Sequence, residues 1–341
     1  MINKPLNILY IGNNLTSKTK YNSSLTTLSN LLKSDGHKVY LSSNKSNKIF
    51  RLLDMCFSLI KLHKKVDFVL IDTFSTSNFY YALVTSQVAR IYGIKYVPIL
   101  RGGNLPYRLD NSKKMSKLIF NYSFTNIAPS NYLKHEFEKR GLKAKFIPNI
   151  LEIDSYNFKQ REVIKPNLLY VRAFAELYNP TMAIYVFDKI KKDFPDAKLC
   201  MVGPDKDNSL IKSKLLAKEL DLQNDVEFTG VLVKEKWHKK SEDFDLFINT
   251  TNFDNTPVSV MEAMALGLPI VSTNAGGLPY LIEDGVDGML VEKNDVNEMY
   301  KSILSLMKDS VKVKKMTMKA RNKVEQFDWV YVKEKWNSVL N

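Results

Sequence analysis

Short apolar runs rich in Ile, Val, Leu and Tyr alternate along this chain with longer amphipathic stretches, and the alternation occurs twice. In the first half the runs are Asn7–Ile11, Lys38–Leu41, Phe68–Ile71, Tyr96–Leu100, Phe124–Ile127 and Lys145–Ile147. In the second half they are Leu168–Val171, Lys198–Val202, Val226–Thr229, Leu246–Asn249, Ile270–Ser272 and Met289–Val291. Runs so short and so continuously apolar mark strands buried on both faces, and each is followed by a loop or a segment of helical length. That is the grammar of βα units around a parallel sheet. Each set predicts one six-stranded sheet, and the fold class is α/β. Between the sets, residues 148–166 (PNILEIDSYNFKQREVIKP) carry proline at both ends and keep no sustained period, so the interdomain linker is predicted there. The domains are therefore 1–150 and 151–326. Beyond residue 294 the pattern is helical, and Phe327, Val330, Tyr331 and Leu340 repeat at roughly helical spacing. A final helix over about 327–341 is expected to pack back on the first domain.

Composition agrees with two folded domains. At 341 residues the chain exceeds what one core usually holds, and 45% hydrophobic with 25% charged residues excludes collagen-like and disordered classes. Cys56 and Cys200 lie far apart among apolar neighbours, which supports neither a disulfide framework nor a zinc site. The apolar run ILYI is too short for a signal-peptide core, and no uninterrupted apolar stretch could span a bilayer, so a cytoplasmic address is expected.

Charge changes the picture, because the formal net of +14 is uneven. Residues 1–160 hold 24 Lys and Arg against 9 Asp and Glu, whereas residues 161–341 hold 26 against 27. A basic half can attract an anionic bilayer or a phosphate-bearing substrate, or merely aid solubility; no nucleic-acid module accompanies the charge, so nucleic acid is not an expected partner. Ile49–Lys65 (IFRLLDMCFSLIKLHKK) has more apolar residues than a solvated helix needs and gathers lysines at one end. Packing on the first sheet would explain it; so would peripheral docking on anionic lipid at the inner face of the cell membrane.

Several motifs carry candidate chemistry. Gly12 to Thr19 (GNNLTSKT) is one residue from a phosphate-binding loop, with Ser17 where the second glycine belongs, and Asp72 closes the strand FVLID as an acid for magnesium. Arg101-Gly102-Gly103-Asn104-Leu105-Pro106 follows the strand YVPIL at the carboxyl edge of the first sheet, where paired glycines admit an anion and Arg101 supplies charge. A tight turn with a surface arginine is the plainer alternative. His37 reads as structural, and His63, His135 and His238 as surface positions; no metal site is expected.

The richest stretch begins at Thr250 and runs TTNFDNTPVSVMEAMALGLPIVSTNAGGLPYLIEDGVDGMLVE. Thr256 is predicted to cap a helix opened by Pro257, leaving the N–H groups of Val258 and Ser259 at its positive end for a diphosphate. Asp254 before this helix and Glu262 in its second turn can accept hydrogen bonds from vicinal hydroxyls. Glu262 interrupts an apolar run, where an unpaired acid would be costly. Gly276-Gly277 is expected to let the backbone approach the same ligand.

At these residues the chain resembles the retaining glycosyltransferases of family 4, whose GT-B fold sets two Rossmann-like, doubly wound domains facing across a cleft. The resemblance covers nearly the whole chain. It implies that Asp254 and Glu262 take the places of two glutamates that contact donor sugar and ribose, Asp254 being the shorter substitute. The stretch MEAMALGLPIVSTNAGGLP matches the family signature, and Gly203, Phe228 and Gly230 fall at strand ends that border the nucleotide. Asn255, Thr256, Val258, Ser259, Gly276 and Gly277 complete the implied donor set. Arg172 fits the family's diphosphate arginine, but Leu177-Tyr178-Asn179-Pro180 holds no lysine to follow it. The amino-terminal loop has Lys18-Thr19-Lys20-Tyr21 in place of a glycine pair, and Tyr280 stands where a glutamate is usual. The resemblance implies metal-independent transfer of a hexosyl unit, with retention, from a nucleotide-diphosphate sugar, UDP-linked and needing no separate cofactor. The acceptor would be a sugar or a lipid-linked molecule in cell-surface polysaccharide or glycolipid biosynthesis, met by the first domain through Lys18, Arg101, Gly102, Gly103 and Asn104. A phosphate-loop nucleotide hydrolase and a catalytically silent nucleotide-sugar binding protein are the alternatives.

Overall fold

The computed structural model describes residues 4–14 and 24–341. Every run singled out by the pattern is a strand, with ends shifted by at most two residues. In chain order these are β1 Asn7–Ile11, β2 Lys38–Ser42, β3 Phe68–Thr73, β4 Lys95–Leu100, β5 Asn126–Ala128 and β6 Ala144–Phe146. Then follow β7 Asn167–Val171, β8 Lys198–Val202, β9 Val226–Gly230, β10 Leu246–Asn249, β11 Ile270–Thr273 and β12 Met289–Val291. The fifth strand starts two residues late because Phe124 turns aside to meet Phe68 edge-on at 5.4 Å, while the Asn126 side chain donates to the carbonyls of Phe120 and Lys143.

All pairings are parallel, in two six-stranded sheets of order β2-β1-β3-β4-β5-β6 and β12-β11-β10-β7-β8-β9. Helices cover the faces of both, so β3, β10 and β11 are buried along their whole length, as continuous apolar runs require. The chain divides into two compact units, Met1–Ile150 with Trp329–Asn341, and Leu151–Asp328. In each sheet the first strand has neighbours on both sides that are reached in opposite directions. The direction reverses between β1 and β3 in the first unit and between β7 and β10 in the second.

Two expectations about connecting segments change. Residues 151–166 are no free linker. Leu151, Tyr156 and Ile164 are buried, and the guanidinium of Arg161, 3% exposed, donates to the carbonyls of Ser241 and Phe244 at 2.8 Å and Gly267 at 3.0 Å. Burial lowers the Arg161 pKa to about 10 despite the nearby Asp245. The final helix is Trp329–Leu340, and its inward stripe is Val332, Trp336, Val339 and Leu340, packed with Ile8 and Tyr10. Val330 and Tyr331, assigned to that stripe from spacing, are 71% and 50% exposed. The helix begins at Trp329, which sets the phase on Val332, Trp336 and Val339, and Lys333 locks it to Asp35 at 2.8 Å.

Backbone close approach holds the second unit's loops. A Cβ on Gly277 would lie 1.7 Å from the Asn255 carbonyl oxygen, whereas one on Gly285, at φ +72°, would meet nothing within 4 Å. Gly285→Ala should therefore cost about 1 kcal/mol from backbone strain alone. Gly277→Ala should cost several-fold more, because backbone must move. Urea unfolding of the two variants checks this ordering, and equal costs would refute the close-approach account.

Candidate functional site

The carboxyl edge of β7 and β10 is where side chains with chemistry converge. Arg172 follows β7 directly, its N–H held by the Val202 carbonyl at 3.0 Å. Gly203, after β8, lies against it so closely that a Cβ would fall 2.0 Å from the Arg172 carbonyl oxygen, and its N–H donates to Gly230. After β10, Thr250 donates to the carbonyls of Tyr178 and Asn179 at 3.1 and 2.8 Å, and the Asn252 N–H reaches the Leu177 carbonyl. These bonds tie the loop after β7 to the loop after β10 across the reversal of strand order, the position at which open α/β sheets bind ligands.

Into that junction Arg172 points a guanidinium that is 23% exposed. One terminal nitrogen makes a very short ion pair with the Asp254 carboxylate, and the plane lies 4.1 Å from the centroid of the Tyr178 ring. Its Nε is buried and has no hydrogen-bond partner. Asp254 also accepts from the Asn255 N–H at 2.8 Å. Burial raises the Asp254 carboxyl above its usual range, with Arg172 and the Asn255 N–H working against that rise.

The helix after this loop is Val258–Ala265. Pro257, expected at its first position, is instead its cap residue, with extended backbone (φ −69°, ψ 117°). Thr256 does not cap the helix: its hydroxyl is buried with no partner, because proline's own geometry already turns the chain into the helix. The N–H groups of Val258 and Ser259 remain without intrahelical acceptors, as at any helix start. Four residues in, Glu262 is 4% exposed yet satisfied, its Oε1 accepting from Lys234 Nζ at 2.7 Å and from the Tyr156 hydroxyl at 3.0 Å. Burial lifts the Glu262 carboxyl above the ordinary carboxylate range, and Lys234 and Tyr156 offset part of that. The Tyr156 ring lies 4.8 Å from His238. His238 is half-buried rather than fully exposed: its Nε2 is buried without a partner and burial pulls its pKa down to about 4, so the ring is neutral at pH 7.

Other expected site residues make close contacts within the protein. At the Gly276-Gly277 pair Cβ atoms would fall 2.2 Å from the Asp254 carbonyl oxygen and 1.7 Å from that of Asn255, and the Gly277 N–H donates to the Asp254 carbonyl. Phe228, half-buried, packs against the core beside Phe174, its ring 6.0 Å away. In the first unit Arg101 is neither a surface residue nor an anion anchor. Its guanidinium donates to Asp72 at 2.9 Å, Asn149 at 2.6 Å and the Tyr10 hydroxyl at 3.0 Å. The same network engages one oxygen, Oδ1, of Asp72, the acid on which the magnesium reading relied, with Arg101 and the Tyr10 hydroxyl. Gly102 presses on Ser75, where a Cβ would meet the Ser75 nitrogen at 2.5 Å, and Gly103 and Asn104 form the turn into the helix Leu105–Asn111, with no cap bond from Asn104. Lys18 and its loop lie outside the described residues. Among the described residues no three His, Cys, Asp or Glu side chains gather as a metal-binding set.

Sequence reasoning missed Tyr156, Tyr178 and Lys234. Tyr156 sat in the supposed linker, and Lys234 opens the run KEKWHKK, which looks solvated. Only Tyr178 left a signal, as the aromatic residue beside the position of the missing lysine.

The sequence model of the family described as Glycosyl transferases group 1 matches residues 153–323, half of the chain. The chain belongs to this family. Among curated relatives of this group 1 chain, the poly(glycerol-phosphate) alpha-glucosyltransferase of Bacillus subtilis is 27% identical over 57% of the chain and 27% of its own length. The amylovoran biosynthesis glycosyltransferase AmsK of Erwinia amylovora is 26% identical over 68% of the chain and 60% of its own length. The chain thus spans between about a quarter and three fifths of these relatives. Among solved structures, Anabaena Alr3699/HepE in complex with UDP aligns over 98% of this chain and 99% of its own, with TM-score 0.78 at 18% identity. The group 1 chain has the GT-B fold.

Glu262 generates a stability prediction. Its carboxyl is protonated in both folded and unfolded chains below the ordinary value of 4.5; above it the unfolded chain ionises first, so stability falls as pH rises through the elevated folded value. Glutamine cannot ionise. Glu262→Gln should melt at or above wild type at pH 7, with the two converging toward pH 4.5. A variant melting at pH 7 more than about 4 °C below wild type, roughly 1 kcal/mol for a unit of this size, would contradict the burial account.

Proposed function

We propose that this group 1 chain is a glycosyltransferase, a retaining, metal-independent enzyme of family 4. It would move a hexosyl unit from a nucleotide-diphosphate sugar, of the UDP class, to a sugar or lipid-linked acceptor in cell-surface polysaccharide or glycolipid assembly on the cytoplasmic side. The observation that carries the reading is Arg172: a guanidinium at the strand-order reversal, paired on one side with Asp254, stacked on Tyr178, and with Nε buried and unpartnered. An anion offering an oxygen to that Nε completes it. Solved HepE, of the same fold, binds UDP, and UDP-glucose in a further structure, which supports a nucleotide-sugar donor.

The chemical problem is negative charge growing on the departing nucleoside diphosphate. Fixed donors meet it without reorganisation: Arg172, the N–H groups of Val258 and Ser259 with the helix dipole behind them, and the unpartnered Thr256 hydroxyl. Glu262, pinned on one oxygen by Lys234 and Tyr156, offers the other to ribose hydroxyls, and Asp254 to the donor sugar. Both convert remote binding energy into orientation. Lys234 also brings a cation into a site that lacks the lysine after Arg172. The acceptor is assigned to the first unit.

A thermal-shift panel of uridine, guanosine and adenosine diphosphate sugars tests the donor. At a concentration of about 100 times Kd the bound donor stabilises by roughly 2.7 kcal/mol, which raises the melting temperature, and the UDP sugar is expected to do so. Arg172→Ala should lose that shift and about a hundred- to a thousandfold of turnover while keeping its circular dichroism spectrum. Near-normal turnover in the folded variant would reject the role of Arg172. A donor shift without transfer or donor hydrolysis would leave a silent nucleotide-sugar binder, and NMR of the product's anomeric proton decides retention.

A further inference from the structure

The helix Lys48–Leu62 turns the wrong face outward for a helix of a water-soluble domain. Its inward face is complete: Met55 and Leu59 are 1% and 0% exposed in the core of the first unit. Arg51, 6% exposed, clamps the preceding loop through the carbonyls of Lys45 and Ser46 and the side chain of Asn13. The Tyr81 hydroxyl fixes its start by donating to the Lys48 carbonyl. Ile49, Phe50, Leu53, Phe57 and Ile60 are nevertheless 71%, 64%, 58%, 62% and 45% exposed. At about 100° per residue these five fall within one arc about 100° wide, with no charged side chain among them. A shallow hollow of about 590 Å³ opens along the stripe, lined by Lys45, Asn47, Phe50, Leu53, Asp54 and Phe57.

Charge decides what covers the stripe. Exposed Lys45 and Lys48 precede it, and exposed Lys61, Lys64 and Lys65 follow it. The one acid between Gly36 and Val66 is Asp54, which accepts from the Ser42 hydroxyl at 3.5 Å. The unit that carries the helix holds 25 Lys and Arg against 8 Asp and Glu, and the other unit 25 against 28. A second copy seated on this stripe by a two-fold axis would bring two strongly basic units together. An anionic bilayer matches both features, with the apolar arc in the acyl boundary and the lysine stems reaching back to lipid phosphates. Among the described residues no helix is long and apolar enough to cross a membrane, so such contact would lie in the interface plane. We propose that the outward face of Lys48–Leu62, with its flanking lysines, docks this protein on the surface of an anionic lipid bilayer.

Flotation of the purified full chain with phosphatidylcholine vesicles, with and without about a third phosphatidylglycerol, tests this whether or not the transferase reading holds. Binding is expected to the anionic vesicles at low salt and should largely vanish at about 1 M salt, where the Debye length is about 3 Å. Leu53→Gln with Phe57→Gln should weaken partition at least about a hundredfold with an unchanged melting temperature, since both side chains already face water. Lys61→Gln, Lys64→Gln and Lys65→Gln together should also cost about a hundredfold, roughly fivefold per charge near the surface. Failure of the wild type to float with anionic vesicles would overturn the proposal. So would undiminished binding by either variant, or a self-association in sedimentation equilibrium that the Leu53/Phe57 variant abolishes.

Discussion

Parallel neighbours can be joined only by crossovers, so a sheet that grows in both directions from its first strand leaves a crevice where the directions part. That constraint organises both units. In the second unit Arg172 stands on one side of the crevice and Asp254 on the other, and their ion pair bridges it. In the first unit the matching reversal, between β1 and β3, is lined by Tyr10 and Asp72, with Arg101 from the next strand bonded to both. The topology is the same and the chemistry differs. The first network bonds the guanidinium through Nε and both terminal nitrogens, whereas the second leaves Arg172 Nε buried and unpartnered. A buried donor without an acceptor costs stability, and such a cost is commonly met where a ligand will supply the missing oxygen.

The two acids of the second unit show how burial and pairing are balanced. Both carboxyls are raised by desolvation, and each has one cation against it, Arg172 for Asp254 and Lys234 for Glu262. The partners are unequal in stiffness. Arg172 is held by Tyr178 beneath it and by the Gly203 contact behind it. Lys234 is 46% exposed on a flexible stem and joins Glu262 from the start of a separate helix. Rigid support at the guanidinium would suit the proposed role of Arg172, meeting developing charge in place, whereas Lys234 holds Glu262 from a flexible, half-exposed stem.

Much of this was legible beforehand. Strand positions followed from apolar runs, because strands buried on both faces must be apolar throughout. Glu262 stood out because an acid inside an apolar helix is costly unless paired, whereas Arg172 was picked out only by the family resemblance. Residues that act through partners distant in sequence were not legible. Tyr156 meets Glu262 across 106 positions, and Arg101 meets Tyr10 across 91. Arg101 illustrates the limit: next to paired glycines it looked like an anion site, and the charge turned inward to Asp72.

By itself the sequence determined the α/β class, the two sets of strands, the basic first half and the acid-bearing helix, since each follows from local periodicity or composition. Only the tertiary structure decided the strand order, and with it which loops face each other across a reversal. Tertiary packing also assigned the glycines: Gly203, Gly276 and Gly277 serve contacts between backbone segments, and nothing in a glycine reveals what lies opposite it. It likewise showed that the apolar arc of Lys48–Leu62 faces water, because the inward positions were already filled by Arg51, Met55 and Leu59. Periodicity shows that a helix has two faces; which of them meets the core depends on what the rest of the chain brings to it.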